Sequence, residues 1–94
     1  MSTFFMYGKY SPESVKKISV KRTSDSQKII KKYGGEDLSM YALLGKYDIV
    51  LIVNLPGIEE VMKTSIALSK LTGLSFATFP AIQMEQFDKL VEGA

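Results

Sequence analysis

Between Tyr47 and Leu55 the chain reads Tyr-Asp-Ile-Val-Leu-Ile-Val-Asn-Leu, and this stretch restricts the fold more than any other. Its β-branched run favours a strand. Side chains alternate between the two faces of a strand, so the odd positions (Tyr47, Ile49, Leu51, Val53, Leu55) make one unbroken apolar face. The even positions (Asp48, Val50, Ile52, Asn54) are polar only at the two ends. A strand that is apolar on both faces belongs where both faces are covered. Gly45-Lys46 ahead of it predicts a tight hairpin turn, and Pro56-Gly57 behind it predicts a helix start.

The elements on either side follow from local chemistry. Residues 2 to 10 are rich in Phe, Tyr and Met and suit a first strand, partly buried on both faces. Ser11-Pro12 offers an N-cap followed by proline at the first helical position. From Pro12 to Tyr33 the helical pattern is weak in its middle. Val15 and Ile18 form one apolar pair, Ile29, Ile30 and Tyr33 a second group, and Thr23-Ser24-Asp25-Ser26 between them prefer caps and turns. Either a short turn followed by a longer helix, or one helix irregular near Ser19 to Ser26, fits this segment, with Gly34-Gly35 as its end. Residues 36 to 44 make a second strand, Met40, Ala42 and Leu44 on one face and Tyr41 and Leu43 on the other. After the third strand comes a second helix on Val61, Ser65, Leu68 and Thr72, flanked by Ile58, Met62 and Leu71. Glu59 and Glu60 suit its N-terminal dipole, and Gly73 ends it. Residues 74 to 82 form a fourth strand, placed at an edge by Pro80, which has no N–H to give a ladder. Met84, Phe87, Leu90 and Val91 then define a short amphipathic helix that needs a surface to dock on.

The order is β-α-β-β-α-β plus a tail helix: an α+β, ferredoxin-like βαββαβ sandwich with an antiparallel sheet and a short C-terminal helix, over a single domain spanning 1–94. Right-handed crossovers put strands one and three in the centre. In this plan the helices cover one sheet face only. Whichever face of strand three looks away keeps Val50 and Ile52, or else Ile49, Leu51 and Val53. An open apolar patch of that kind marks an interface. The expectation is a homodimer, or a higher homo-oligomer, in which two sheets pack face to face about a two-fold axis. A ligand groove on the open face is the alternative.

Composition narrows the chemistry. The chain has no cysteine and no histidine, which removes disulfides, thiolate chemistry, the commonest general base and the commonest metal ligand. No Gly-rich phosphate loop, nucleophile elbow, carboxylate pair or metal-ligand cluster is present, so no cofactor and no metal is expected. The N-terminus has neither a basic n-region nor a long apolar h-region, and no apolar run reaches the roughly 20 residues of a membrane span. A soluble, cytoplasmic protein is therefore expected. Net charge is only +2 but uneven: residues 1–33 hold eight Lys/Arg against Glu13 and Asp25, while residues 34–94 hold four Lys against eight acids.

Gly45-Lys46-Tyr47-Asp48 resembles the signature of the GYD domain family, in which a residue between the glycine and the tyrosine is usual. Lys9-Tyr10-Ser11 before the first helix, Tyr33-Gly34-Gly35 after it, Pro56 at the second helix and Gly73 ahead of a Phe/Thr-rich strand are similar to the same pattern. Met84-Glu85-Gln86-Phe87 resembles its tail, so the likeness spans nearly the whole chain. It implies a ferredoxin-like subunit of the dimeric α+β barrel group, and no particular activity, because the family is uncharacterised. Some members of the wider group are small enzymes that act on hydrophobic substrates without a tightly bound cofactor. Ser24-Asp25-Ser26 departs from the pattern, where helix formers are more typical.

Six residues stand out as candidate ligand contacts: Tyr7, Tyr41, Tyr47, Asp48, Asn54 and Arg22. Tyr47 and Asp48 read either as hairpin chemistry, with Asp48 accepting from nearby amides, or as a proton-transfer pair at a pocket mouth. Regular alternation would send them to opposite faces. Asp48 and Asn54 share a face about 20 Å apart and suit a polar rim around Val50 and Ile52. Arg22, with Lys21, reads either as a solvated cation or as a carboxylate or phosphate contact near the helix break. Three functions follow. The first is a non-enzymatic oligomeric module that binds a small ligand or a partner. The second is a cofactor-free enzyme acting on a small hydrophobic substrate, with Tyr7, Tyr41 and Tyr47 lining a pocket between sheet and helices. The third, and last in rank, is a weak nucleic-acid binder through the basic first helix.

Overall fold

The computed structural model describes residues 1–94. Its elements run β1 (Ser2–Tyr10), α1 (Pro12–Val15), α2 (Val20–Lys32), β2 (Glu36–Ala42), β3 (Ile49–Leu55), α3 (Ile58–Thr72), β4 (Leu74–Ala81) and α4 (Met84–Gly93). All strand pairs are antiparallel in one sheet of order β2-β3-β1-β4, so β3, the most apolar strand, takes the centre beside β1, and Pro80 lies on an edge strand. No helix is long and apolar enough to cross a membrane.

The first helical segment is divided. Ser11 caps α1, its hydroxyl accepting from Ser14 N at 3.0 Å, and Pro12 opens it. The helix stops after one turn, where Lys16 N and Lys17 N turn back to Glu13 O and Ser14 O. Ser19 restarts it, accepting from Arg22 N at 3.3 Å. The polar run that looked unfavourable is thus carried inside α2. Asp25 pairs with Lys21 at 2.9 Å one turn away, and the Ser26 hydroxyl returns to Arg22 O at 2.7 Å. The expected pairing of Val15 with Ile18 does not occur; both side chains are exposed on the bend between the helices.

The hairpin between β2 and β3 is wider than Gly45-Lys46 alone predicts. Both strands stop short, Leu43 N bonds Asp48 O at 2.8 Å, and residues 43 to 48 form the loop, with Gly45 at φ +127°. Leu44, expected on the strand beside Met40 and Ala42, is fully exposed at its tip. A bulge at Leu38, between the Asp37–Val53 and Ser39–Ile52 pairs, also interrupts β2.

The sheet's helix-covered face holds the core. Phe4 and Met6 of β1 and Leu51, Val53 and Leu55 of β3 meet Ile30 of α2 and Val61 and Leu68 of α3. On α3 the buried positions are Val61, Thr64, Leu68 and Thr72; Thr64, and not the expected Ser65, completes the stripe. Ile58, Met62 and Ile66, spaced one turn apart, are exposed. Gly73 caps α3 in the left-handed region at φ +74°, where a Cβ would come within 2.9 Å of the Ser14 Cβ.

Two apolar surfaces are left over. The first is the open face of the sheet. Its central rungs run Tyr41–Val50–Tyr7–Ala77 and Ser39–Ile52–Phe5–Phe79, and Asn54 and Thr3 follow on the next rung. The second is α4, which buries no residue. It follows the end of β4, and the molecule is elongated, 49 Å in its longest dimension with a radius of gyration of 14.3 Å, against about 12 Å for a compact domain of this length. The docking surface expected for α4 is absent from its own chain.

Candidate functional site

α2 changes character along its length, and the change opens a cleft. Its C-terminal half presses Ile29 and Ile30 onto the core. Its N-terminal half turns Thr23 and Ser26 toward the sheet, and these are too short to fill the gap. On the facing sheet Gly8 lacks a side chain; a Cβ there would lie 2.9 Å from Ile49 Cγ1 and 3.1 Å from Phe76 Cε1. Ile49 and Phe76 therefore close over Gly8 as a low floor. The resulting cleft of about 280 Å3 has Met40, Ile49, Leu51, Leu74 and Phe76 below and Arg22, Thr23 and Ser26 above, with Tyr10 at its edge.

Arg22 is the one charged residue in the lining. It does not extend into solvent as Lys21 does. Its Nη1 donates to Ser14 O at 2.9 Å, and its Nη2 donates to Thr72 O. The guanidinium thus ties together the last turns of α1 and α3, adding to the bond that Ser14 O already accepts from Lys17 N, and it sits where the helix dipole favours a cation. Its Cζ lies 6.0 Å from the centroid of the Tyr10 ring. Tyr10 N in turn donates to Asp48 Oδ2 at 2.8 Å. Asp48, Tyr10 and Arg22 form a single connected chain of contacts from the hairpin to the helix ends.

The remaining candidates go elsewhere. Tyr7 and Tyr47 are on the opposite, open face, ring centroids 5.2 Å apart, and Phe79 meets Tyr7 edge-on at 5.8 Å. The expected pocket of Tyr7, Tyr41 and Tyr47 between sheet and helices therefore does not form. Only Tyr41 reaches the rim of the cleft, and it is largely exposed. The parity argument for Tyr47 fails because β3 begins at Ile49, leaving Tyr47 in the loop and free to turn onto Tyr7. Asn54 is at the far end of the sheet, its Oδ1 accepting from Thr3 Oγ1 at 2.6 Å. Asp48 and Arg22 are linked through Tyr10, Asp48 at its backbone N–H and Arg22 at its ring, and of the two Arg22 lines the cleft; Asn54 and the tyrosine pair lie elsewhere.

Sequence reasoning missed Tyr10, Gly8 and Ser26. A glycine inside a strongly apolar strand is the signal that could have found the floor. Thr23 and Ser26, from the polar run expected to make the helix irregular, are part of the roof. Beside the cleft lies a second, polar depression of about 390 Å3 lined by Lys17, Lys70, Glu13 and Ser11, and the two share Ser19, Arg22 and Thr72. No three His, Cys, Asp or Glu side chains converge anywhere in the molecule.

Comparison with known proteins gives a fold and a family. The chain is similar to the Mycobacterium tuberculosis leucine response regulatory protein (LrpA), with a TM-score of 0.58 at 10% identity, over 87% of this chain and 51% of that one. A second crystal structure, of a glutamate-to-alanine mutant, matches equally, with a TM-score of 0.58 at 11% identity, over 87% of this chain and 50% of that one. The chain thus spans about half the length of these structures, and at such identity the likeness is one of fold, a small α+β subunit of ferredoxin-like type. No curated protein matches the sequence. The model of the GYD domain matches residues 4–91, nearly the whole chain, and the protein belongs to the GYD domain family.

Proposed function

We propose that this protein is a self-associating, non-enzymatic module that senses a small ligand, two copies pairing through the open faces of their sheets in a dimeric α+β barrel. The observation that carries the reading is the open face itself: Phe5, Tyr7, Val50, Ile52 and Phe79 occupy its two central rungs, with Ser39 at the β2 edge and Thr3 and Asn54 on the next rung. Phe79 and Tyr41 are more than half exposed in the single chain, at 51% and 58%. Exposed aromatic clusters with a polar rim are what protein interfaces are made of. The uncovered α4 adds Met84, Phe87, Leu90 and Val91 to the apolar surface seeking a partner.

The sensing half of the reading rests on the cleft, supported by the name of the leucine response regulatory protein that the fold resembles. The cleft has groups to hold a ligand and few to act on one. Its lining includes an arginine already bonded to two carbonyls, two tyrosines, and no carboxylate, lysine or histidine to take a proton. Nucleic-acid binding is disfavoured by placement. The aromatic face and the basic α2 lie on opposite sides of the sheet, so stacking and phosphate contacts would not meet one strand.

Sedimentation equilibrium tests the pairing. The natural chain is expected to be a dimer at micromolar concentration, and Ile52→Lys, which places a charge in the central rung, is expected to be a folded monomer. A natural chain that sediments as a monomer overturns the pairing.

A further inference from the structure

The apolar cleft and the polar depression beside it meet at Arg22, and we infer that together they form one binding site for an amphipathic anion. The apolar body lies over Ile49 and Phe76, and a carboxylate or phosphate head lies toward Lys17 and Lys70. This deepens the sensing half of the proposed function and does not depend on the pairing of sheets.

Four observations converge. The cleft floor is aliphatic and aromatic, and its volume of about 280 Å3 falls just below the usual range for small-molecule sites, about 300–1,000 Å3. A medium-length acyl chain or a single substituted ring is the body it admits. The adjoining depression carries three cations, Lys17, Arg22 and Lys70, against Glu13 alone. Neither lysine is held by a carboxylate, since the ion pairs of the molecule join Asp25 to Lys21 and to Lys28. Finally, Arg22 spends two of its five N–H donors on Ser14 O and Thr72 O, which fixes the guanidinium at the junction and leaves others to face a ligand. A neutral apolar molecule would leave the cations unused, and a small inorganic anion would leave the cleft empty.

Amide chemical-shift mapping and calorimetry on the full chain test the site, with octanoate, octyl phosphate and 1-octanol as probes. Octanoate or octyl phosphate is expected to bind with sub-millimolar affinity and to shift the amides of Arg22, Ser26, Ile49 and Phe76; the tighter of the two names the head group. Octanol is expected to bind at least about tenfold more weakly. Lys17→Glu combined with Lys70→Glu, both exposed positions, is expected to weaken the anions by about tenfold and to leave octanol unchanged. Equal affinity for octanol, shifts confined to Phe5, Ile52 and Phe79, or no saturable binding would each overturn the inference. So would contacts in the cleft from α4 of a second copy. Failure to bind in a chain that still sediments as a dimer overturns this site and leaves the pairing standing; binding by a monomer does the reverse.

Discussion

Arg22 and Thr64 are two residues whose surroundings contradict their types, and each supports a prediction. Arg22 sits in a helix of lysines but turns inward to bond Ser14 O and Thr72 O. Removing it strips a charge-assisted donor from two helix ends, so Arg22→Met is expected to lower unfolding free energy by about 2 kcal/mol. Lys17→Met, at an exposed position nearby, is expected to change it by no more than about 0.5 kcal/mol. Urea titration of both variants checks the contrast. Thr64 is fully buried on α3, and its Oγ1 has no hydrogen-bond partner. Replacing an unsatisfied hydroxyl by a methyl of the same shape removes a desolvation cost. Thr64→Val is therefore expected to gain about 1 kcal/mol, or about 4–8 °C in thermal midpoint by calorimetry. Neither environment was legible beforehand. Arg22 differs from Lys21 in sequence by one position, and only the angle at which α2 lies on the sheet decides which of the two faces inward.

Among the elements, those with strong local signals formed where local chemistry put them. Ser11-Pro12 and Gly73 mark helix ends through hydrogen bonds made within a few residues, and such geometry does not depend on the rest of the fold. Elements that rely on distant surfaces behaved differently. On α3, Val61, Leu68 and Thr72 are buried as expected while Thr64 takes the place of Ser65, because the approach to the sheet, not helical periodicity, sets which adjacent position faces inward. α4 kept its amphipathic pattern but packs on nothing within the chain. Since its apolar residues contribute no burial here, Phe87→Ser combined with Leu90→Ser is expected to leave monomer stability within about 0.5 kcal/mol, measured in dilute denaturant titrations. The same pair is expected to weaken self-association, read by sedimentation as a rise in the dimer dissociation constant.

For the molecule as a whole, the small core argues for assembly. Only 16 of 94 residues are buried, while Tyr41, Phe79, Ile58, Met62 and Phe87 lie outside the core cluster and exposed. A protein whose remaining apolar surface is covered by a second copy gains stability by mass action. The thermal midpoint of the natural chain is accordingly expected to rise with protein concentration across the micromolar range, and that of Ile52→Lys to stay constant. Scanning calorimetry at several concentrations distinguishes the two.

The stretch from Tyr47 to Leu55 determined on its own that the chain would build a sheet around a central strand, because alternation and β-branching are properties of neighbouring residues. The element order followed from the local signals of the other segments, the central place of β1 and β3 from right-handed crossovers, and the open apolar face from alternation along all the strands. What only the tertiary structure decided is where the candidate site lies. Tyr47 left the strand parity once β3 started at Ile49, and joined Tyr7 on the open face. Gly8 and the short side chains of α2 opened a cleft on the other face, beneath a guanidinium drawn in by two helix ends. Those outcomes depend on side chains far apart in sequence meeting across the sheet, and no local pattern carries that information.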